Sequence, residues 1–210
     1  MRELDVFPAR DSAGRVAVMD TGHNPSTAYD EQYYDAQDGT YGGYEYDGRY
    51  ADAAQKLVDE FDLKAGDKVL EIGCAKGFIL YEFQQLGMNT TGIEVSEYAI
   101  HNAHPDVKYN IMLWANPKLP YMDDTFDFVL CKEALPHVYD PDCMIKEIIR
   151  VAKPGQTHLE IQCATGEVAQ KLMKEWDVTH QTVAPPSYWT NILDAGKYKG
   201  TYRCKELFSD

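Results

Sequence analysis

The ten residues VLEIGCAKGF, at positions 69–78, constrain the fold more than any other part of the chain. An apolar run typical of a buried strand leads into Gly73 and Gly77, and helical spacing begins directly after them. Gly73 permits a sharp turn of the backbone and the close approach of a ligand. The first amides of the helix then face the crevice at the carboxyl ends of the strands. The segment predicts the ligand-binding turn of a parallel α/β sheet.

Strand and helix patterns alternate along the chain after residue 50. The runs predict strands at 68–72, 90–95, 107–112, 126–131, 158–163 and 201–208, and helices at 50–61, 77–86, 140–151, 167–176 and 187–195, with Ser96 as the N-cap of a further short helix. This alternation predicts an α/β domain with a single Rossmann-like, seven-stranded, mostly parallel sheet and helices on both faces. We expect the run at 201–208 to form an antiparallel C-terminal edge strand.

The first fifty residues differ from the rest. They lack helical or strand periodicity, and seven tyrosines occur among Asp and Gly between positions 29 and 50. We therefore divide the chain into an N-terminal leader with a Tyr-rich lid segment (1–50) and a domain at 51–210. Tyrosines offer a flat apolar face with a hydrogen-bonding tip, which suits a lid that lines a pocket with Tyr33, Tyr34, Tyr41, Tyr44 and Tyr46. A flexible leader and a turn region docked on the core remain the alternative.

Charge and cysteine content exclude several classes of protein. The 210 residues include 34 acidic and 20 basic side chains, a net charge of -14 that disfavours nucleic acid as a partner. No apolar run is long enough to span a membrane, and the start lacks the apolar stretch of a signal peptide, so we expect a cytoplasmic protein. The five cysteines include no C-x-x-C pair, which argues against disulfides and a zinc site.

A second acidic residue extends the first motif. Glu94 ends the predicted strand that follows the glycine turn, at about the interval where an acidic side chain accepts hydrogen bonds from a ribose diol. Together with the turn it indicates an adenosine-type site. A nicotinamide oxidoreductase should have a G-x-G-x-x-G motif and a P-loop enzyme a G-x-x-x-x-G-K-[ST] motif. The chain has neither, which disfavours both classes of enzyme. A tight turn without any ligand is the other alternative.

Four ordered segments of the chain resemble the class I S-adenosylmethionine-dependent methyltransferases. They are EIGCAKG, GIEVSEYAI, LPYMDDTFDFVLCKEALPHV and EIIRVAKPGQTHLEI, within a resemblance that extends from about residue 50 to 208. It implies methyl transfer from S-adenosylmethionine, with S-adenosylhomocysteine as the product. The predicted cofactor contacts in and near these segments are Glu71, Gly73, Cys74, Ala75, Gly77, Glu94, Val95, Ala115, Asn116 and Cys131. Arg49 lies outside them, and its fixed charge makes it a candidate partner of the methionine carboxylate. Relatives usually carry Asp-Ala before the LP of the third segment, where this chain has the stretch Leu113-Trp114-Ala115-Asn116; Asn116 or a backbone carbonyl is the expected substitute in the adenine contacts.

The methyl acceptor is less defined by the sequence. The segment WDVTH at 176–180 resembles a W-x-D-P-T-H segment of methyltransferases of sugar and surface-polysaccharide modification, although Val178 replaces the proline. We therefore predict a small polar acceptor, a hydroxyl of a sugar or saccharide precursor. His180 is the expected general base, with a pKa suited to neutral pH and Asp177 to orient it. His137, Glu133 and Tyr34 are further catalytic candidates.

Alternatives remain at these positions. His137 can be structural, Asp177 and Thr179 can shape a turn that His180 caps, and Arg49 can be a surface charge. A non-catalytic or regulatory binding protein of the same fold, or an N- or C-methyltransferase of another small metabolite, remains the alternative function. No metal is expected to be required, because no Asp, Glu or His set has convincing ligand spacing, but the acidic groups around Asp177 leave a metal as the alternative. The sequence is compatible with a homodimer.

Overall fold

The computed structural model describes residues 1–7, 28–37 and 39–208. Its strands are β1 (Arg2–Glu3), β2 (Lys68–Ile72), β3 (Asn89–Glu94), β4 (Ile111–Leu113), β5 (Phe128–Lys132), β6 (Thr157–Ala164) and β7 (Thr201–Phe208). Its helices are α1 (Glu31–Tyr34), α2 (Ala51–Glu60), α3 (Phe78–Gln85), α4 (Glu97–His101), α5 (Pro141–Val151), α6 (Glu167–Trp176) and α7 (Pro186–Ala195). Single 3₁₀ turns lie at Lys108–Asn110 and Leu135–His137.

The strands form one seven-stranded sheet in the order β1-β7-β6-β5-β2-β3-β4. All its neighbouring strands run parallel. The chain moves from β2 to β3 in one direction and later continues with β5 on the other side of β2. In an open α/β sheet this reversal leaves a crevice at the carboxyl ends of the central strands. The predicted α/β architecture with a Rossmann-like sheet is therefore confirmed.

Helices cover both faces of the sheet because successive strand residues point to opposite sides. Val69 packs in one core cluster with residues of α2 and α3, whereas Leu70 packs in another with residues of α5 and α7. The two strand neighbours are both fully buried. Continuous apolar strands such as β2 and β5 are typical of a sheet that is covered on both faces.

The expected antiparallel edge strand is wrong in direction and position. β7 pairs parallel with β6, and its first residues pair with β1, which lies outside it. The physical reason is the length of the connection. α6 and α7 lie between β6 and β7, and a crossover of this length can carry the chain back so that β7 starts beside the start of β6 and runs parallel to it. A short hairpin would have reversed it.

The start of the chain also differs from its pattern. Arg2 and Glu3 form β1, although two residues are too few to produce a periodic signal. Val6 and Phe7 are buried in the same core cluster as Tyr33, Tyr34 and Tyr44. Both parts of the predicted leader and lid thus contact the core in the described residues.

Caps fix the start of two helices near the crevice. The Ser96 side chain accepts a hydrogen bond from the Ala99 amide at the start of α4, as predicted, and Asp140 accepts one from the Cys143 amide before α5.

None of the helices in the described part of the chain combines the length and apolar character that crossing a membrane requires.

Candidate cofactor and acceptor site

The glycine-rich turn forms a left-handed bend between β2 and α3. Gly73, Ala75 and Gly77 have φ angles of 71°, 49° and 72°. Ala75 has a side chain in this region, a conformation that costs roughly 1–2 kcal/mol and persists where the surroundings impose it. The amides of Gly73 and Cys74 donate to the Ile93 carbonyl at 2.8 and 3.2 Å, which ties the turn to the end of β3.

Glu94 lies directly against this turn. One carboxylate oxygen accepts the Ala75 amide at 2.7 Å, and the other accepts the amides of Val95 and Ser96 at 2.7 and 2.9 Å. The side chain is buried, and burial raises its pKa even though the three amide bonds oppose that shift. A carboxylate has about four acceptor positions, so one oxygen keeps capacity for a hydroxyl donor. This arrangement fits the ribose of an adenosyl ligand.

Glu71 supplies a second buried carboxyl beneath the turn. Burial raises its pKa well above the ordinary value, although Lys132 acts in the opposite direction. Among the described residues, its Oε2 atom has no hydrogen-bond partner. An unsatisfied buried oxygen is costly unless a ligand or water meets it. Glu71 therefore also fits a site that holds a polar ligand.

The other predicted cofactor contacts are dispersed. Cys131 is fully buried in the apolar core, and Cys74 is buried beside Leu80 and Val107. Ala115 and Asn116 are exposed, and Asn116 uses its side-chain oxygen to accept the Lys118 amide at 2.9 Å. Their roles toward a cofactor stay predictions.

The cation predicted near the crevice, Arg49, is exposed, whereas Lys76, which the sequence did not indicate as a site residue, is buried. Arg49 is half exposed and forms hydrogen bonds with both carboxylate oxygens of Asp47 at 2.6–2.9 Å. Lys76, inside the glycine-rich motif, is only 5% exposed, and its Nζ lies 2.5 Å from Asp35 and 3.0 Å from the Tyr44 carbonyl. Sequence reasoning missed Lys76, because a lysine in a turn normally faces solvent.

The Tyr-rich segment packs over this end of the sheet. Tyr33, Tyr34 and Tyr44 are buried, and their rings contact one another and Tyr41 at centroid distances of 4.7–6.1 Å. The Ser96 hydroxyl donates to the Tyr29 carbonyl at 2.5 Å, beside Glu94. Tyr46 is more exposed and donates to Glu82 at 2.9 Å. The segment therefore covers the crevice where the sequence predicts a lid.

Removal of the Lys76 amine is expected to loosen this cover. In Lys76→Met, Asp35 loses its cation and the Tyr44 carbonyl loses a donor, so we expect hydrogen exchange of the Tyr33, Tyr34 and Tyr44 amides to quicken about tenfold, the equivalent of one charge-assisted bond of ~1.5 kcal/mol. Mass-spectrometric exchange measures this. Lys146→Met, which breaks an exposed pair with Asp142, is the control. Equal exchange in wild type and Lys76→Met would contradict the assignment.

The same ion pair predicts an acid dependence. Burial opposes the charge of Asp35, but the hydrogen bonds from Lys76 and Tyr98 outweigh it and hold its pKa below the ordinary 3.8. Asp35 thus contributes its stabilisation fully above pH 3.8, and the contribution is lost as pH falls through the lower folded value. Exchange in wild type should therefore approach that of Lys76→Met only in this acid range.

A second polar group lies beside the cover, after β5 and α6. Asp177 is buried and accepts the Thr179 hydroxyl at 2.5 Å, the Thr179 amide at 3.0 Å and the Tyr33 hydroxyl at 2.9 Å. His137 Nδ1 lies 2.9 Å from the same Thr179 hydroxyl. The Tyr29 ring lies 6.1 Å from the His137 ring, and its carbonyl accepts the hydroxyl of Ser96, whose amide binds Glu94, so Tyr29 lies between this group and the Glu94 carboxylate. Burial raises the pKa of Tyr29.

His180 does not meet the expectation of a near-neutral base. Its side chain is 2% exposed, and burial, reinforced by His137, lowers its pKa to about 4. Its Nε2 atom lies 2.9 Å from the Gln162 side-chain oxygen, so Gln162, and not the Asp177 carboxylate, orients the ring. The ring stacks on His137 at a centroid distance of 4.4 Å. The predicted pKa of His180 was therefore wrong, because the sequence does not show its burial.

The two remaining catalytic candidates have other contacts. Glu133 is buried with a φ of 58°, and its carboxylate lies 2.8 Å from Lys132 and 3.7 Å from Lys205. Tyr34 lies within the aromatic cover, and burial raises its pKa well above the ordinary value, so its hydroxyl stays protonated at neutral pH. Catalytic roles for Glu133 and Tyr34 remain predictions.

Comparisons with known proteins agree with this geometry. Residues 70–159 match a family model described as a methyltransferase domain. The chain is similar to a ubiquinone biosynthesis O-methyltransferase of Pseudomonas entomophila, at 36% identity over 105 residues that cover 47% of this chain and 45% of the relative. The match thus spans less than half of that relative.

Solved structures show the same architecture. Phosphoethanolamine N-methyltransferase 2 of Haemonchus contortus, in complex with phosphomonomethylethanolamine and S-adenosylhomocysteine, has a TM-score of 0.63 at 16% identity, covering 82% of this chain and 44% of that one. The chain has the class I methyltransferase fold. The [4+2]-cyclase SpnF shares this fold, with a TM-score of 0.59 at 21% identity and coverage of 75% of this chain and 66% of the cyclase. The class I methyltransferase fold therefore does not by itself decide the reaction.

The comparisons bear on the acceptor as well. The relative named above is a ubiquinone biosynthesis O-methyltransferase by its name, and nothing in that name concerns sugars. The likeness of the 176–180 segment to enzymes of sugar modification is not shown. That segment also lies outside the residues of the family match.

Proposed function

We propose that the protein transfers a methyl group from S-adenosylmethionine to a hydroxyl of a small molecule. The observation that carries the proposal is the Glu94 carboxylate, buried against three backbone amides at the glycine-rich turn, within residues that match a methyltransferase domain. The acceptor position that these amides leave open suits a ribose hydroxyl. The name of the curated relatives supports an oxygen acceptor.

S-adenosylmethionine, when bound, supplies a methyl group that is already activated on a sulfonium. The chain itself has to hold the ribose on Glu94, exclude water with the Tyr-rich cover and bring the acceptor hydroxyl into line. Activation of that hydroxyl falls to the group formed by His137, Asp177 and His180, because Tyr29 contacts both the His137 ring and Ser96 beside Glu94. We assign no separate catalytic step to Glu133 or Tyr34.

The acceptor class that we favour is a hydroxyl on a planar ring. The Tyr29 ring contacts those of Tyr33 and His137 edge to face at centroid distances of 4.9 and 6.1 Å, and aromatic rings of this kind suit a planar acceptor. A hydroxyl of a sugar or saccharide precursor is the second candidate, favoured by the likeness of the WDVTH segment alone. The charge of -14 disfavours nucleic acids.

A calorimetric titration tests the donor first. We expect S-adenosylmethionine and S-adenosylhomocysteine to bind with micromolar affinity and NAD to show no binding. Transfer from labelled S-adenosylmethionine to ring hydroxyls or to sugar nucleotides then distinguishes the acceptors. Binding of NAD alone would contradict the proposal. Binding of both adenosyl compounds without transfer to any acceptor would favour the non-catalytic alternative.

A further inference from the structure

His137, Asp177 and His180 come from separate parts of the chain and meet in one place. His137 ends the 3₁₀ turn after β5, and the other two follow α6. One ligand atom from each of the three lies within 4.8 Å of the corresponding atoms of the other two. Two imidazole nitrogens and one carboxylate oxygen are a donor set that suits divalent first-row transition metals.

Two buried polar groups in this cluster suit a bound cation. In the described part of the chain, His180 Nδ1 has no hydrogen bond of full geometry, although the residue is only 2% exposed and the backbone of Met173 and Asp177 acts on its ring. Asp177 is equally buried; its carboxylate accepts from Tyr33 and Thr179, and, against the effect of burial, His137 and His180 hold its pKa below the ordinary value. A buried carboxylate is costly unless positive charge meets it, and the described contacts of Asp177 include no lysine or arginine. A dication between these side chains would balance the charge and engage the imidazole nitrogen.

We propose that His137, Asp177 and His180 bind one divalent transition-metal ion, which holds the acceptor hydroxyl of the proposed methyl transfer. The inference rests on the proposed function for the role of the ion, but not for its binding. The hydroxyl oxygen coordinates the ion, its proton passes to water, and the oxyanion attacks the methyl carbon while the C–S bonding pair returns to sulfur.

A moderate rearrangement completes the site. Bonds of about 2.0–2.1 Å in a tetrahedron require ligand atoms roughly 3.3 Å apart, closer than the 4.8 Å limit of this cluster. The two imidazole rings lie at 24° to each other, so one ring has to turn to direct its lone pair at the ion. His137 is half-buried, whereas His180 is enclosed, so the adjustment would fall on the His137 ring and would exchange its contact with Thr179 for the ion. The ligands leave a fourth position for the acceptor.

Zinc binding by the chelator-treated full chain tests the proposal without any methyl acceptor. Calorimetry should detect one equivalent of Zn²⁺, and Co²⁺ should give the visible absorption of a tetrahedral ion. Asp177→Asn keeps the shape of the side chain and should weaken Zn²⁺ binding at least about tenfold. Substitution of residues that only support the ligands of a metal already costs about this much, so loss of a ligand should cost no less. His180→Gln should do the same.

Matched variants distinguish this cluster from the other histidines and the thiols of the chain. His101→Gln changes an exposed histidine and should bind Zn²⁺ as wild type does, and so should Cys163→Ser, which removes a thiol. Circular dichroism verifies folding; if His180→Gln fails to fold, the Asp177→Asn result decides. Absence of Zn²⁺ and Co²⁺ binding in wild type, or unchanged binding in Asp177→Asn, would overturn the proposal. Binding of S-adenosylmethionine by the metal-free protein is measured separately, so that failure of the metal site leaves the methyltransferase proposal intact.

Discussion

Replacement of Glu94 by alanine is expected to weaken the binding of S-adenosylmethionine about 10- to 100-fold. In wild type, the acceptor position that the three amides leave open would take a ribose hydroxyl, and a hydrogen bond to a charged group contributes roughly 1.5–3 kcal/mol. Its loss corresponds to a factor of about 10 to 10² in affinity. The substitution also leaves the amides of Ala75, Val95 and Ser96 without their acceptor, which loosens the turn.

Glu94→Gln is the matched variant, since it keeps the shape but replaces one acceptor oxygen by a donor. Its affinity should lie between those of wild type and Glu94→Ala. Because burial raises the pKa of Glu94, affinity in wild type should fall with acidification at a higher pH than an ordinary carboxyl would cause, and Glu94→Gln should lose this dependence. Calorimetry at several pH values measures both effects. Equal affinity of all three proteins would refute the ribose assignment.

The second large effect is expected from Gly73→Val. A Cβ atom at Gly73 would lie 2.6 Å from the Ala134 Cβ, and the φ of 71° is unfavourable for any side chain. The backbone conformation costs about 1–2 kcal/mol, and the overlap adds about 1–3 kcal/mol. The turn can relieve the overlap only by moving away from β5, which displaces the amides that frame the adenosyl site. We expect loss of cofactor binding together with a lower free energy of unfolding.

Gly66→Val separates the two contributions. Gly66 also has a positive φ, of 93°, but a Cβ there would meet no atom within 4 Å. It should therefore show the backbone cost without the overlap and should bind S-adenosylmethionine as wild type does. Urea unfolding and calorimetry provide the two readouts. If Gly73→Val and Gly66→Val lose the same stability and both retain binding, the contact of Gly73 with Ala134 has no role in shaping the site.

Local patterns were sufficient to predict most helices and strands, and also to predict that the glycine-rich turn lies against Glu94. The bounds of β2, α6 and β7 agree with the sequence prediction residue for residue, because their periodicity and their flanking turns lie within the elements themselves. The neighbourhood of Gly73, Ala75 and Glu94 also followed from local spacing: adjacent parallel strands bring their carboxyl ends to one edge, so a turn after β2 and an acid at the end of β3 must meet.

Contacts between distant segments were outside the reach of such patterns. Lys76 pairs with Asp35 across 41 residues, His137 meets Thr179 across 42, and His180 meets Gln162 across 18. Each depends on how the Tyr-rich segment or the region after α6 packs against the sheet. The same packing buries His180 and lowers its pKa, whereas the sequence indicated only an ordinary histidine.

The sequence by itself therefore determined the α/β class, the order of the elements after residue 50 and the proximity of the glycine-rich turn to Glu94, because these depend on periodicity and on turn residues. Tertiary structure alone decided the parallel direction of β7, the position of β1 outside it, the burial of Lys76 and the assembly of His137, Asp177 and His180. The physical reason is that burial and charge pairing depend on side chains far apart in the chain, whose proximity no local spacing encodes.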